Sequence, residues 1–296
     1  MQLTVWRFLD GNRAHEKQSA ALVRGLVSSY DGQLNCVDIP LSVTARGILM
    51  RPAKGLSNLP RPDFLIGTGR RTRLPMLAAR YRYGGRAVVI NRPQLPFHWF
   101  DFAIVPEHDR PPPLENIILS QGALTGPLPA DAVQPGRGLI LLGGPSRHFC
   151  WEDGSVRRQV ERLLSQPLDW RLSNSRRTSA GLLESIAAGG AQVVDWRSCS
   201  PDWVQVQMAA AEQIWVSEDS ISMLFESLQS RAQVGVIRVP CRPRANKVRA
   251  AVQRLVDQGV VGERWEDVIA QSRRAPLDQY LVCARALLRR CGLSIR

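Results

Sequence analysis

Lysine is nearly missing from this chain. Of its 39 basic residues only Lys17, Lys54 and Lys247 are lysines, so the formal net charge of +13 rests on arginine. Arginine forks onto phosphate in a bidentate way that lysine cannot match, although GC-rich codon usage produces the same skew. Under either origin the charge points to an anionic partner: a nucleotide, a phosphorylated lipid headgroup or nucleic acid. The cysteines Cys36, Cys150, Cys199, Cys241, Cys283 and Cys291 form no C-x-x-C pair and no cluster with histidine at zinc spacing, which excludes zinc-finger classes. Most lie in apolar runs and are expected as reduced core residues. No apolar run approaches the ~20 residues that cross a bilayer. The stretch Met1–Arg7 lacks a charged segment followed by an apolar one, so no secretory signal is expected. These absences describe a cytoplasmic protein that touches a membrane, if at all, peripherally at the cytoplasmic face of the inner membrane. G-x-G-x-x-G and Walker A sequences are absent as well, and so is any D-x-D pair, the usual metal anchor of single-domain sugar transferases. No cofactor and no metal are expected.

What is present is an ordinary globular composition, 44% hydrophobic and 22% charged over 296 residues, long enough for two cores. The first half alternates short β-rich runs with helical patterns, as parallel βαβ units do. Strands are expected at 3–9, 34–39, 63–67, 87–90, 102–105 and 117–119, with helices at 15–28 and 74–83. Residues 42–59, basic and apolar, read as an irregular insertion and a candidate membrane or acceptor-lipid contact. A Pro/Gly/Ala-rich linker runs from Gly122 to Gly138. A second series follows, with strands at 139–142, 171–173, 192–194, 213–216 and 234–239, and helices at 156–164, 180–187, 204–210, 221–230 and 246–258. The closing helix, 277–290, carries an apolar stripe of Leu277, Leu281, Ala284, Leu288 and Cys291. The expected architecture is α/β with two Rossmann-like domains, 1–128 and 137–275, facing each other across a cleft. The last segment, 276–296, packs back toward the first domain.

Ligands of doubly wound sheets sit at the carboxyl ends of strands. In the second half the strand 171–173 opens into Ser175-Arg176-Arg177-Thr178, two guanidiniums and two hydroxyls at the start of a helix. The strand 213–216 opens into Glu218-Asp219-Ser220-Ile221-Ser222-Met223, a second helix start rich in hydroxyls. Together the turns could clamp a diphosphate, with Gly143-Gly144 giving close approach and Glu226 accepting from a ribose. Ser220 can equally be a plain helix cap, and the arginines can be solvated. In the first half the loop after the first strand supplies His15 and Glu16, two groups able to take a proton from an acceptor hydroxyl or simply to cap a helix. Arg70 and Arg71 in Gly67-Thr68-Gly69-Arg70-Arg71-Thr72, and His108 and Asp109 after the fifth strand, complete an acceptor side.

The order Asp10-Gly11…His15-Glu16…Gln18, Gly67-Thr68-Gly69-Arg70-Arg71-Thr72, Pro106-Glu107-His108-Asp109, Gly122-Ala123-Leu124, Leu142-Gly143-Gly144-Pro145-Ser146, Ser175-Arg176-Arg177-Thr178 and Glu218-Asp219-Ser220-Ile221-Ser222-Met223 resembles the bacterial mitochondrial fission elongate-mitochondria-like family, over essentially the whole chain. That resemblance implies a GT-B glycosyltransferase branch acting on cell-envelope glycans. The chain departs from the family pattern at Asn12-Arg13-Ala14, at Asp202-Trp203-Val204-Gln205 and at Ser230-Arg231-Ala232-Gln233-Val234, so the donor's identity does not carry over.

The expectation is therefore metal-independent transfer of a sugar from a nucleotide-sugar to a glycan or lipid-linked acceptor such as lipopolysaccharide. Donor residues would be Gly144, Ser175, Arg176, Arg177, Thr178, Asp219, Ser220, Ser222, Met223 and Glu226. Glu16 or His15 would serve as base, with Arg70, Arg71, His108 and Asp109 on the acceptor. A non-catalytic scaffold of the same fold is one alternative. A nucleic-acid-binding protein is another, although no DNA-reading motif supports it.

Overall fold

The computed structural model describes every residue except 1, 41, 51–55, 130–132, 188–190, 201, 243–246 and 273–274. It divides into two units: residues 1–127 with 278–296, and residues 128–277.

In unit 1 the apolar runs become β1 (Gln2–Phe8), β2 (Gln33–Ile39), β3 (Phe64–Thr68), β4 (Arg86–Ile90), β5 (Phe102–Pro106) and β6 (Ile117–Ser120). All pair in parallel, in the order β2-β1-β3-β4-β5-β6. The helices α1 (Arg13–Ser29), α2 (Ala45–Met50) and α3 (Arg70–Tyr83) intervene. β3 reads FLIGT and is buried at every position, as a central strand covered on both faces must be.

Residues 42–59, the start of α3 and the burial of the cysteines each differ from expectation. Residues 42–59 are not wholly irregular: Thr44 caps a short helix by accepting from the Gly47 amide at 3.1 Å, and Ile48 is fully buried against unit 1's core. The Lys54 end of that segment lies outside the described residues. α3 begins at Arg70 rather than at Leu74, because Gly69 breaks the strand immediately before it; Arg70, Arg71 and Thr72 thus form a first helical turn. Finally, only Cys283 is buried, while Cys36 and Cys150 are exposed. Cys36 lies on β2, an edge strand with one flank open, which its local sequence cannot reveal.

Unit 2 contains β7 (Arg137–Leu141), β8 (Asp169–Ser173), β9 (Gln192–Val194), β10 (Gln213–Ser217) and β11 (Gln233–Ile237), again all parallel, ordered β11-β10-β7-β8-β9. Its helices are α4 (Asp153–Leu164), α5 (Ala180–Ala187), α6 (Trp203–Ala210), α7 (Ile221–Ser227), α8 (Lys247–Asp257) and α9 (Trp265–Ile269). α7 stops three residues short of the expected Ser230. The hydroxyl of Ser230 accepts from the Ala232 amide at 3.2 Å, turning the chain directly into β11.

The C-terminal helix α10 (Gln279–Arg290) belongs to unit 1 and packs on α1. Its buried face is Tyr280, Cys283, Ala284, Leu287 and Leu288, against Ala21, Leu22 and Leu26. The stripe is therefore rotated from the expected one. Leu281 and Cys291 are only partly buried, and Leu277 packs within unit 2.

Candidate functional site

Each sheet reverses its strand order once, and at such a switch point the diverging connections leave a crevice beyond the strands' carboxyl ends. In unit 1 the reversal lies between β1 and β3; in unit 2 it lies between β7 and β10. The polar residues singled out by the sequence gather at both places.

At the unit 1 switch point, β1 ends and Asp10 follows. Asn12 caps α1 by accepting from the Ala14 amide at 3.0 Å, which sets His15 and Glu16 in the first helical turn. The His15 ring turns its Nδ1 to Asp10 Oδ2 at 2.6 Å. The Asp10 side chain is 6% exposed and the His15 side chain 32%. A carboxylate only accepts, so Nδ1 carries a proton, and in the neutral ring the lone pair then lies on Nε2. Asp10 is itself fixed, because its other oxygen accepts from the Asn12 amide at 2.9 Å. Gly69, which follows β3, lies against this pair. Its φ of +92° belongs to glycine, and a Cβ there would collide with both Asp10 Oδ2 and His15 Nδ1. Glu16 is placed differently: its carboxylate accepts from the Gly11 amide at 2.9 Å and closes the loop.

The other unit 1 residues lie along the same sheet edge. Arg70 and Arg71 open α3, and His108 and Asp109 form a 3-10 turn after β5, where the Asp109 carbonyl accepts from Arg92 at 3.0 Å. Arg73, one position beyond Thr72, is 7% exposed; its Nη2 reaches the Arg92 carbonyl at 3.2 Å, and its Nε and Nη1 have no partner among the described residues. Burial, and secondarily the like charge of Arg70, holds its pKa below the ordinary guanidinium value.

At the unit 2 switch point the turns after β7, β8 and β10 are tied together. The Gly143 amide donates to Ser217 Oγ at 2.7 Å, and the Gly144 amide donates to Asp219 Oδ2 at 3.1 Å. Ser175 Oγ donates to the Gly143 carbonyl at 2.8 Å, and Thr178 Oγ1 donates to the same carbonyl. The Asp219 side chain is fully buried; besides Gly144 it accepts from Ser217 Oγ at 2.8 Å and pairs with Arg177 at 2.7 Å. Arg177 also donates to the Gly144 carbonyl at 2.7 Å and to Ser220 Oγ at 3.0 Å. Gly143 leaves no room for a side chain, since a Cβ would strike the Asp219 carboxylate and the Ser220 hydroxyl.

The residues assigned to the donor from sequence therefore divide into two groups. Ser175, Arg177, Thr178, Asp219 and Ser220 build the loop cluster by bonding to one another. Ser220 precedes α7 but sends its hydroxyl to Asp219 rather than to the helix. Arg176 and Ser222 are exposed, and Arg176 makes no hydrogen bond or ion pair among the described residues. Met223 packs partly into the apolar core, and Glu226 is the penultimate residue of the seven-residue α7. Sequence reasoning gave no role to Asp10, Gly69 or Ser217. The signal was available in each case: a polar or glycine residue at the carboxyl end of a strand that borders a switch point. Among the described residues, no three His, Cys, Asp or Glu side chains gather where they could hold a metal, and no helix is long and apolar enough to cross a membrane.

Three solved structures of similar fold are distant in sequence. A Listeria monocytogenes protein with a provisional assignment as UDP-N-acetylglucosamine 2-epimerase superposes with a TM-score of 0.60 at 13% identity, over 99% of this chain and 96% of that one. The Neisseria meningitidis UDP-GlcNAc 2-epimerase bound to UDP-GlcNAc gives 0.52 at 10% identity, over 99% and 100%. A UGT from Arabidopsis thaliana complexed with UDP gives 0.51 at 10%, over 97% and 89%. These neighbours assign the fold as α/β of the GT-B type. No curated protein matches the chain. The family model described as mitochondrial fission ELM1 matches residues 14–291, and the chain belongs to that family.

Proposed function

We propose that this chain is a GT-B glycosyltransferase that moves a sugar from a nucleotide-sugar to a hydroxyl of a cell-envelope glycan or lipid-linked acceptor, lipopolysaccharide being the model case. The observation that carries the reading is the Asp10–His15 pair at the unit 1 switch point. A carboxylate that fixes the tautomer and ring plane of a half-exposed histidine makes Nε2 a directed base. In the transfer, Nε2 takes the acceptor O–H proton as that oxygen bonds to the anomeric carbon. The bond from that carbon to the donor diphosphate breaks, and the diphosphate leaves with the electron pair. Glu16 is the weaker base candidate because its carboxylate already serves the Gly11 amide.

We assign the donor to unit 2, where the exposed Arg176, unpaired among the described residues, and the exposed Ser222 lie beside a loop cluster held rigid by Arg177 and Asp219. A guanidinium stabilises the leaving diphosphate electrostatically, a task that needs no resident metal. The neighbours bound to UDP and UDP-GlcNAc support a nucleotide-sugar as partner. Peripheral attachment at the cytoplasmic membrane face is supported by α2, where Leu49 and Met50 are 49% and 69% exposed beside Arg46.

The test is a thermal-shift and calorimetry screen against UDP-, GDP-, TDP-, ADP- and CMP-sugars, repeated with Arg176→Ala. At least one donor should bind, and the variant should bind it at least about tenfold more weakly, the value of one charge-assisted hydrogen bond. No donor binding, or unchanged affinity in the variant, removes the donor assignment.

A second reading is nucleotide-sugar epimerisation, favoured by the two epimerase neighbours. It is distinguished by incubating the bound donor without acceptor. An epimeric sugar by NMR supports it, and an unchanged donor that turns over only when acceptor is added supports transfer.

A further inference from the structure

Unit 2 contains a second concave surface, apart from the switch-point cluster. It is a cavity of about 370 Å³ beside the edge strand β11, lined by Arg158, Arg162, Arg238 and Arg249 together with Gln159 and Pro240, and among the described residues no carboxylate lines it. None of the residues assigned to the nucleotide-sugar takes part in it.

Two of its arginines are locked from behind. Glu218 is fully buried; its Oε1 holds Arg238 at 2.8 Å and its Oε2 holds Arg249 at 3.4 Å. Arg238 is braced further by Gln253 at 2.8 Å and by Glu263, while Gln159 accepts from its backbone amide at 3.0 Å. The other two arginines lie one turn apart on α4, a like-charge spacing that destabilises an isolated helix. Their neighbour Arg157 pairs with Glu161, whereas Arg158 and Arg162 have no ion pair among the described residues. In the ion pairs of the described residues these four guanidiniums meet two carboxylates, Glu218 and Glu263, and the arginine-rich lining converges on a concave surface.

A solvated helix face would not need the second half of this arrangement. A buried carboxylate that orients two arginines toward the same space as two unpaired ones is how a protein preorganises a site for a multivalent anion. The volume lies near the lower end of the range for small-ligand sites, too small to enclose a polymer. We propose that this cavity binds a compact phosphate anion, inorganic pyrophosphate or a small phosphate ester, independently of the nucleotide-sugar site. The inference does not rest on the transferase reading.

The experiment is calorimetric titration of the full chain with inorganic pyrophosphate at fixed ionic strength, in an Arg176→Ala background that removes the reachable guanidinium of the other site. Saturable one-to-one binding is expected, weakened at least about tenfold by adding Arg158→Ala and Arg162→Ala. Lysine at both positions should restore binding only in part, because the charge returns without the fork. Absence of binding, or equal affinity with and without the two α4 arginines, overturns the proposal. Both side chains are exposed, and an unchanged melting temperature confirms that the variant is folded. A parallel titration with random duplex DNA separates the remaining source: loss of a steeply salt-dependent DNA affinity with no pyrophosphate binding makes this face a nucleic-acid surface instead and equally overturns the proposal.

Discussion

The Asp10 carboxylate holds the Nδ1 edge of His15 at 2.6 Å, and Gly69 closes against both. Replacing Asp10 by Asn keeps the shape but can invert the tautomer, turning the lone pair away from the acceptor. Transfer by Asp10→Asn should fall by about 10³–10⁴-fold in kcat, with donor affinity unchanged, as in other histidines robbed of their orienting carboxylate. A loss in donor affinity with normal kcat would show the pair to be part of a binding surface and not a base. Gly69→Ala should also fail in transfer, because its methyl group enters the space of the pair from a backbone at positive φ.

Arg177 and Asp219 make a different prediction from the one their sequence context suggests. The Asp219 side chain is fully buried and that of Arg177 is 40% exposed. Removing the arginine leaves a buried carboxylate without its counter-ion, so Arg177→Ala should destabilise unit 2 by roughly 2–3 kcal/mol, below the usual cost for a wholly buried pair because water reaches the guanidinium. Adding Asp219→Asn should recover part of that loss. Urea denaturation of the two variants measures it, and a wild-type midpoint for Arg177→Ala would show that the pair is not a strut.

Arg73 points the opposite way in stability. It is a buried cation with two nitrogens unpartnered among the described residues. Arg73→Met should raise the unfolding free energy by about 1 kcal/mol, since a hydrophobe of similar reach removes the desolvation penalty. A lower melting temperature would indicate that the guanidinium contributes through its bond to the Arg92 carbonyl.

Burial pushes the Cys283 thiol from 9.0 up to about 12. The unfolded chain releases this proton near its ordinary value while the folded chain keeps it. Stability from this group is therefore complete below about pH 9 and declines as pH rises toward 12. Cys283→Ala should flatten that decline in alkaline melting curves. In native protein at pH 8, iodoacetamide should modify Cys36 and Cys150 and spare Cys283.

The strands were legible because each is a short apolar run bounded by turn residues, Phe64–Thr68 and Arg137–Leu141 being the clearest. The two shortest α-helices among the described residues were not. Ala45–Met50 and Trp265–Ile269 span too few residues to show a period, and they form because a cap or a packed neighbour supports them. Exposure of Cys36 follows from strand order, a non-local property. The same limit applies to the site. The turns at Ser175–Thr178 and Glu218–Met223 announce themselves by composition, but which arginine is spent on Asp219 and which remains free is decided between turns of different strands.

The return of α10 to unit 1 has a consequence for biosynthesis. Unit 2 is one continuous stretch, residues 128–277, and every strand of its sheet is synthesised before residues 278–296 are made. Unit 1 is interrupted: Tyr280, Cys283, Leu287 and Leu288 fill the core beside Leu22 and Leu26 only after residues 278–296 are read. Of the two units, the one whose synthesis begins first is completed second, and the α1 face that awaits α10 must be shielded through the whole of the intervening translation.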